Sequence, residues 1–343
     1  MNDIVIQAST GTSRVIFNNS FENFKSFIPA GKKVVIITDT SILNYYGTTF
    51  TGIPTIDIGQ GEKIKTFKTL EKIFEEFLKL NVDRSWFVLG VGGGIVTDVT
   101  GFAASIYMRG LPFGFISTTL LSQVDASVGG KNGVNFGELK NMVGVFAQPS
   151  FVICDPAVLS TLTERDFISG FAEIIKAAAI RDVQLFEYLE NNVAMALNKD
   201  HRVLGKIISE SVQIKANVVQ NDEKEAGERR ILNFGHTFAH AIELYMGLTH
   251  GEAVAVGMML ASEVSAKMGH LSKEEALRLQ NLISSYKLPV RFNIDKALVY
   301  NTLLKDKKRE GDSINLVLLK GLGNAIVQKV SLKEMEEIVN DLR

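Results

Sequence analysis

Short β-branched runs alternate with segments of helical period through about the first 150 residues. Lys33–Thr38 (KVVIIT) is such a run and ends at Asp39, a residue suited to opening a turn or capping a helix. A second extended run covers Ile53–Ile58. From Ile64 the apolar positions Phe67, Leu70, Ile73, Phe74, Phe77 and Leu80 recur at three- and four-residue steps, which predicts a helix. Trp86–Leu89 predicts a strand leading into Gly90-Val-Gly-Gly-Gly94. A helix over Thr97–Tyr107 and a strand over Pro112–Ser117 follow. Strands alternating with helices imply a parallel sheet flanked by helices.

The pattern changes after Asp155-Pro156. Glu164–Asn198, His201–Val219 and Ile231–Met268 are long stretches of helical period with few turn residues. Near the end, Ile314–Leu319 and Ala325–Val330 flank Lys320-Gly-Leu-Gly-Asn324, the signature of a β-hairpin. The expected division is therefore an α/β domain over 1–155 and a mainly helical domain over 156–343.

The composition narrows the function classes. Of 343 residues 46% are hydrophobic and 22% charged, the balance of a soluble globular chain. Cys154 stands alone, so no intrachain disulfide forms and a reducing compartment fits. The first residues, MNDIVIQAST, lack a basic region followed by an apolar one, and no run approaches the length of a membrane span. A net charge of -1 speaks against general nucleic-acid affinity while permitting a local basic pocket.

Three groups of residues carry candidate chemistry. Gly90, Gly92, Gly93 and Gly94 lie between an expected strand and an expected helix, where a backbone can approach a phosphate-bearing ligand closely. They do not form the dinucleotide fingerprint, because Ile95 stands where its third glycine belongs. Gly129-Gly130-Lys131 is likewise not a Walker motif, since Asn132 follows the lysine. His236 and His240 are four residues apart on one helical face, and His250 opens the next helical segment. With Glu173, in Gly170-Phe-Ala-Glu-Ile-Ile-Lys176, they could hold a metal, and the spacing does not choose among the histidines. Arg109, Lys131, Lys140, Lys176, Lys215, Arg229 and Lys307 or Lys308 would suit an anionic substrate if they converge.

The chain resembles the 3-dehydroquinate synthases, within the sugar-phosphate cyclase group. The resemblance runs over nearly its whole length and rests on six blocks: GVGGGIVTDVTGFAASIYMRG (90–110), STTLLSQVDASVGGKNGVNF (117–136), LKNMVGVFAQP (139–149), SGFAEIIKAA (169–178), RRILNFGHTFAHAIE (229–243) and HGEAVAVGM (250–258). It implies a Rossmann-like, NAD-binding α/β domain followed by a mainly α-helical metal-binding domain. The activity implied is conversion of 3-deoxy-D-arabino-heptulosonate 7-phosphate to 3-dehydroquinate and phosphate. The steps implied are transient oxidation by NAD, phosphate elimination, re-reduction and intramolecular aldol closure. This is a step of the shikimate pathway to the aromatic amino acids, run by a cytoplasmic enzyme, expected as a homodimer with no nucleic-acid or membrane partner.

Carried over residue by residue, the resemblance implies Glu173, His236 and His250 as ligands of one zinc or cobalt ion. His240 and Glu225 become proton-handling residues. NAD contacts fall to Asp39, Glu62, Lys65, Gly93, Gly94, Ile95, Asp98, Thr118, Thr119, Lys140, Val158, Leu159, Ser160 and Thr161. Substrate contacts fall to Arg109, Asp125, Lys131, Asn141, Lys176, Lys215, Arg229, Asn233 and Lys307, of which Lys131, Asn141, Lys176 and Arg229 also serve catalysis. Three positions depart from the family's usual residues: Ser41 and Ser169, each in place of Asn, and Leu139 in place of Gly. Other cyclases, which make inosose or valiolone rings, share the NAD and metal frames and are the nearest alternative. Polyol and iron-type alcohol dehydrogenases would consume NAD stoichiometrically and lack Lys131, Lys140-Asn141 and the Arg229–Asn233 run. A non-catalytic NAD-binding regulator would have no need of so complete a set of reactive groups.

Overall fold

Burial on both faces decides the character of the central strands. The computed structural model describes all residues except 1, 18, 138, 292–295, 304–308 and 342–343. In chain order the first unit carries β1 (Ile4–Ala8), β2 (Gly11–Ile16), β3 (Lys33–Thr38), α1 (Thr40–Tyr46), β4 (Thr55–Asp57) and α2 (Phe67–Lys79). It continues with β5 (Trp86–Gly92), α3 (Gly94–Ile106), β6 (Phe113–Ser117), β7 (Lys131–Phe136), β8 (Leu139–Phe146) and β9 (Phe151–Cys154). Seven strands form one sheet in the order β1-β2-β9-β6-β5-β3-β4, parallel at every pairing except the β1–β2 hairpin. All of β5 is buried, as a strand covered on both faces requires. Phe87 stacks on Phe151 with ring centroids 5.6 Å apart, inside a core that also holds Phe24, Ile36, Leu89, Val91, Ile116 and Ile153.

The helices start where their caps dictate. Asp39 accepts from the Ile42 N–H at 2.9 Å and opens α1. Thr66 caps α2, so that helix begins at Phe67, and Glu62–Ile64 form a separate 3-10 turn, three residues later than the periodicity suggested. Leu70, Ile73 and Phe77 make the buried stripe of α2, each worth roughly 1.5–3 kcal/mol of apolar burial. Among the elements that escaped the sequence pattern are β9, the hairpin β1–β2 and the hairpin β7–β8, where Gly133 faces Gly144. A methyl on Gly133 would meet the Val143 carbonyl at 2.5 Å, so the glycines that hid this hairpin are what let its strands approach.

The second unit carries α4 (Glu164–Arg181), α5 (Val183–Asn191), α6 (Val193–Leu197), the start of α7 (His201–Asn221), α8 (His236–Met246), α9 (His250–Lys267) and α10 (Lys273–Ser285). After α11 (Lys296–Leu303) come β10 (Arg309–Glu310), β11 (Ser313–Leu319), β12 (Ala325–Ser331) and α12 (Leu332–Asp341). The first unit comprises Met1–Thr163 and Leu204–Lys224, the second Glu164–Val203 and Glu225–Arg343. Relative to the division expected at 155, the turn Pro156–Thr161 and most of α7 therefore group with the α/β part.

The stretch expected to be helical from 164 to 198 is interrupted. Asp182 accepts from the N–H groups of Gln184 and Leu185, both at 2.9 Å, and starts α5 anew. The stretch from 231 to 268 breaks at Gly247, whose φ of +61° ends α8. Thr249 and Glu252 then form a reciprocal capping box that starts α9 at His250. Phe171 lies between Phe167 and Tyr286, with centroids at 5.1 and 4.6 Å, and the Tyr286 hydroxyl donates to the Leu189 carbonyl at 3.1 Å. Among the described residues no helix is long and apolar enough to cross a membrane.

Candidate active site

The imidazoles of α8 and α9 meet a carboxylate of α4 because the three helices touch through their smallest residues. A methyl on Gly257 would stand 2.1 Å from the Gly235 carbonyl, and one on Gly251 would stand 1.9 Å from the Ser169 carbonyl. Ser169 also accepts from the Gly251 N–H at 3.0 Å, so the serine at this variant position anchors the first turn of α9. One turn further along α4, Glu173 points to the residue beside that anchor. His236 and His250 each open their helix, and their Nε2 atoms lie 3.5 and 3.4 Å from Glu173 Oε1.

This arrangement fits a divalent cation. The ligand atoms of Glu173, His236 and His250 all lie within 4.8 Å of one another. Ligands held at about 2.0–2.2 Å by a tetrahedral ion stand roughly 3.3–3.6 Å apart, which the two Glu–His separations match. The Glu173 carboxylate is buried, and neither oxygen has a hydrogen bond of regular geometry, although the Lys176 ammonium lies against Oε2. Burial alone would raise its pKa, but Lys176 and His250 outweigh that and hold it down at about 2. Burial would lower His250, yet the Glu173 and Glu243 carboxylates raise it to about 10. His236 Nδ1 faces the Phe234 carbonyl at 3.3 Å and His250 Nδ1 faces Glu243 Oε2 at 3.7 Å, which directs Nε2 of both rings inward.

The structure brings two of the three candidate histidines to the Glu173 carboxylate. His240 stands beside the site, its ring perpendicular to that of His236 with centroids 5.8 Å apart. Glu243 was not among the expected residues; its signal was available, since it follows His236 by two helical turns. Glu252 is occupied elsewhere, accepting from Arg165 Nε at 2.9 Å and Nη2 at 2.7 Å. Also in this unit, Arg229 is buried and Asn233 donates to Glu225.

In the first unit most of the expected dinucleotide residues follow the carboxyl ends of parallel strands, while Lys140 lies in β8 of the antiparallel hairpin. Asp39 follows β3, Gly93, Gly94, Ile95 and Asp98 follow β5, Thr118 and Thr119 follow β6, and Val158–Thr161 follow β9. Between β3 and β5 the chain reverses its direction of travel across the sheet, the switch point where ligands of open α/β sheets bind. A methyl on Gly93 would meet Thr119 Cγ2 at 3.0 Å and one on Gly94 would meet Ala126 Cβ at 2.8 Å. No side chain caps the start of α3, which leaves its positive end to a phosphate. These features fit a dinucleotide. Burial raises the Asp39 carboxyl, its capping bonds to Ile42 and Ser41 notwithstanding.

Two charged nodes lie nearby in the same unit. Lys65 Nζ is 2.5 Å from both Asp98 Oδ2 and Asn141 Oδ1, joining an expected NAD residue to an expected substrate residue. Lys215 Nζ reaches Asp125 Oδ1 at 2.5 Å and the Asp125 carbonyl at 2.6 Å. Lys131 and Arg109 are exposed, and Arg109 has a φ of +65°. Ser41, the other serine in place of Asn, accepts from Gln60 at 2.5 Å. The expected Lys307, with Lys308, lies outside the described residues.

Comparisons with known proteins agree with this geometry. Family models for the N-terminal and C-terminal parts of 3-dehydroquinate synthase match residues 55–169 and 170–309. A 3-dehydroquinate synthase of Campylobacter curvus is 45% identical over 277 residues, 80% of this chain and 79% of that one. The fold matches a 2-deoxy-scyllo-inosose synthase solved with carbaglucose-6-phosphate, NAD+ and Co2+, at TM-score 0.89 and 26% identity over 100% of both chains. It also matches the 2-epi-5-epi-valiolone synthase of Streptomyces hygroscopicus solved with NAD+ and Zn2+, at TM-score 0.87 and 28% identity over 95% of both chains.

Proposed function

This chain belongs to the 3-dehydroquinate synthase family, and from that premise we propose how its side chains divide the work of the reaction. The enzyme converts 3-deoxy-D-arabino-heptulosonate 7-phosphate to 3-dehydroquinate and phosphate, with NAD and a divalent metal ion as cofactors. When bound, NAD supplies a reversible hydride acceptor and the cation a Lewis acid that acidifies a substrate hydroxyl. The observation that carries the reading is the Glu173–His236–His250 cluster within a chain so similar to a dehydroquinate synthase.

Lys131, Asn141 and Arg109 hold the substrate phosphate, the two cations by charge and the amide by directed hydrogen bonds. Oriented this way, the leaving phosphate can itself accept the neighbouring carbon-bound proton. Lys176, Lys215, Arg229 and Asn233 bind the carboxylate and ring hydroxyls, and Lys307 belongs to the same set. Asp125 pairs with Lys215 and holds its ammonium in place. Glu225 orients Asn233 and shares proton traffic with His240, whose imidazole changes charge near neutral pH. Asp39, Glu62, Lys65, Gly93, Gly94, Ile95, Asp98, Thr118, Thr119, Lys140 and Val158–Thr161 hold the dinucleotide. The enzyme acts in the cytoplasm as a homodimer, which sedimentation would test.

The deciding experiment supplies heptulosonate phosphate with sub-stoichiometric NAD and follows free phosphate together with NADH absorbance. The expected result is phosphate in large excess over NAD, no lasting NADH, and loss of turnover on chelation. Stoichiometric NADH would instead identify a polyol dehydrogenase, and turnover only of hexose phosphates would identify an inosose-forming cyclase.

A further inference from the structure

The hairpin β7–β8 is irregular at one place. Its register runs evenly from Lys131↔Phe146 to Val134↔Val143, then resumes at Phe136↔Leu139. Between those pairs the single residue Asn135 faces three: Lys140, Asn141 and Met142. The three form a bulge, and Asn141 takes a φ of +54° within it. Bulges of this kind re-aim side chains, and this one carries two residues assigned above, Lys140 to the dinucleotide and Asn141 to the phosphate.

Asn135 uses its backbone and both side-chain groups to hold the bulge. Its Oδ1 accepts from the Asn141 N–H at 2.9 Å, the amide that the bulge takes out of the ladder. Its Nδ2 donates to Glu62 Oε1 at 2.7 Å, and its own N–H donates to the Lys65 carbonyl at 2.9 Å. Lys65 Nζ closes the ring by reaching Asn141 Oδ1 and Asp98 Oδ2, both at 2.5 Å. The circuit Glu62–Asn135–Asn141–Lys65–Asp98 therefore contains three expected dinucleotide residues and one phosphate residue, with Asn135 the one member given no ligand.

We propose that Asn135 is a positioning residue that ties the Asn141 bulge to the Glu62–Lys65 segment, so that dinucleotide and phosphate binding are coupled through it. The proposal rests on the assignments made under the proposed function. A dinucleotide that fixes Glu62 and Lys65 also fixes the amide and side chain of Asn141, and a phosphate that fixes Asn141 returns the effect to the same extent. Removing the Asn135 side chain deletes the bonds to Glu62 and Asn141 and leaves Lys65, Asp98, Lys131 and Arg109 unchanged in sequence.

The test titrates inorganic phosphate into metal-loaded enzyme with and without saturating NAD, for the wild type, Asn135→Ala and Asn135→Asp. The aspartate is isosteric, keeps an acceptor for the Asn141 N–H and sets a carboxylate against Glu62, so it serves if the alanine variant does not fold. NAD should tighten phosphate about fivefold or more in the wild type. In both variants that factor should fall below twofold, with NAD affinity alone within threefold of wild type. KM for the heptulosonate phosphate should rise about tenfold and kcat should change less. Equal coupling in wild type and variants, or independent binding in a wild type that still turns over, overturns the proposal and leaves the synthase reading intact. A wild type that binds NAD and releases no phosphate from the substrate overturns the synthase reading and this coupling with it.

Discussion

Replacing Glu223 with Gln should destabilise the first unit by an amount that disappears in acid. Glu223 is buried two residues past the end of α7, and among the described residues its two oxygens accept from four donors. The Ser9 hydroxyl reaches Oε2 at 2.5 Å, the Thr10 N–H reaches it at 3.1 Å, Gln148 Nε2 reaches Oε1 at 2.8 Å, and the Thr10 hydroxyl also donates to Oε1. Burial would raise this carboxyl, but the hydrogen bonds prevail and bring it from 4.5 down to about 2. At about 1.4 kcal/mol per tenfold change in proton affinity, the carboxylate contributes up to about 3 kcal/mol near neutrality. A folded-state value below the unfolded one gives stability that is complete above the unfolded pKa. It is lost as pH falls from about 5 through 2.

Gln keeps the shape, cannot ionise, and turns an amide donor toward groups that already donate. Urea unfolding followed by Trp86 reads the effect cleanly, because Trp86 is the single tryptophan and lies in β5 of the first unit. The wild-type advantage should be about 2–3 kcal/mol at pH 7 and shrink steadily below pH 5. A gap that stays constant from pH 7 to pH 3 would refute the argument, since a packing or hydrogen-bond defect alone carries no such proton linkage.

The metal centre offers three further expectations. Glu173→Gln should abolish stoichiometric metal by elemental analysis and cost about 3–5 kcal/mol, because it breaks the buried pair with Lys176; full metal content in this variant would remove Glu173 from the ligand set. His240→Asn should keep the metal and lose about 100-fold or more in kcat, whereas loss of metal would make His240 a ligand. Gly257→Ala should cost about 1–3 kcal/mol of stability, read as a lower melting temperature, and release metal together with it. The added methyl would stand 2.1 Å from the Gly235 carbonyl and push α9 from α8, so unchanged metal content would show that the helices tolerate the displacement.

Much of this molecule was legible before its structure. The β-branched runs and glycine turn of the first 150 or so residues gave the parallel sheet, because strands buried on both faces must be apolar throughout. Long sequence blocks identified the family, and with it came the expectation of Glu173, His236 and His250 as a ligand set, which the structure brings together. Residue spacing alone stopped short of that set. His236 and His240 share a face by helical geometry, but whether either meets His250 depends on how α8 packs on α9. Gly235 and Gly257 decide that packing, and no periodicity reveals a close backbone contact.

The remaining features lie where local signals were weak or long-range contacts dominate. The β7–β8 hairpin is rich in glycine and polar residues, so its strand character comes from pairing and not from propensity. Glu223 is one charge in a polar run of the sequence, and only the fold brings it to Ser9, Thr10 and Gln148. Asn135 had no signal in one dimension, since its role arises from a register shift that exists only once both strands are formed. Sequence by itself determined the central strands, the helical character of the second half, the family and the residue types that the chemistry uses, because those follow from local pattern and long motifs. Tertiary structure decided which histidines share one carboxylate, what holds each charged group in place and where the hairpin bulges. Those depend on ångström-scale distances between segments far apart in the chain, which hydrophobic period does not encode.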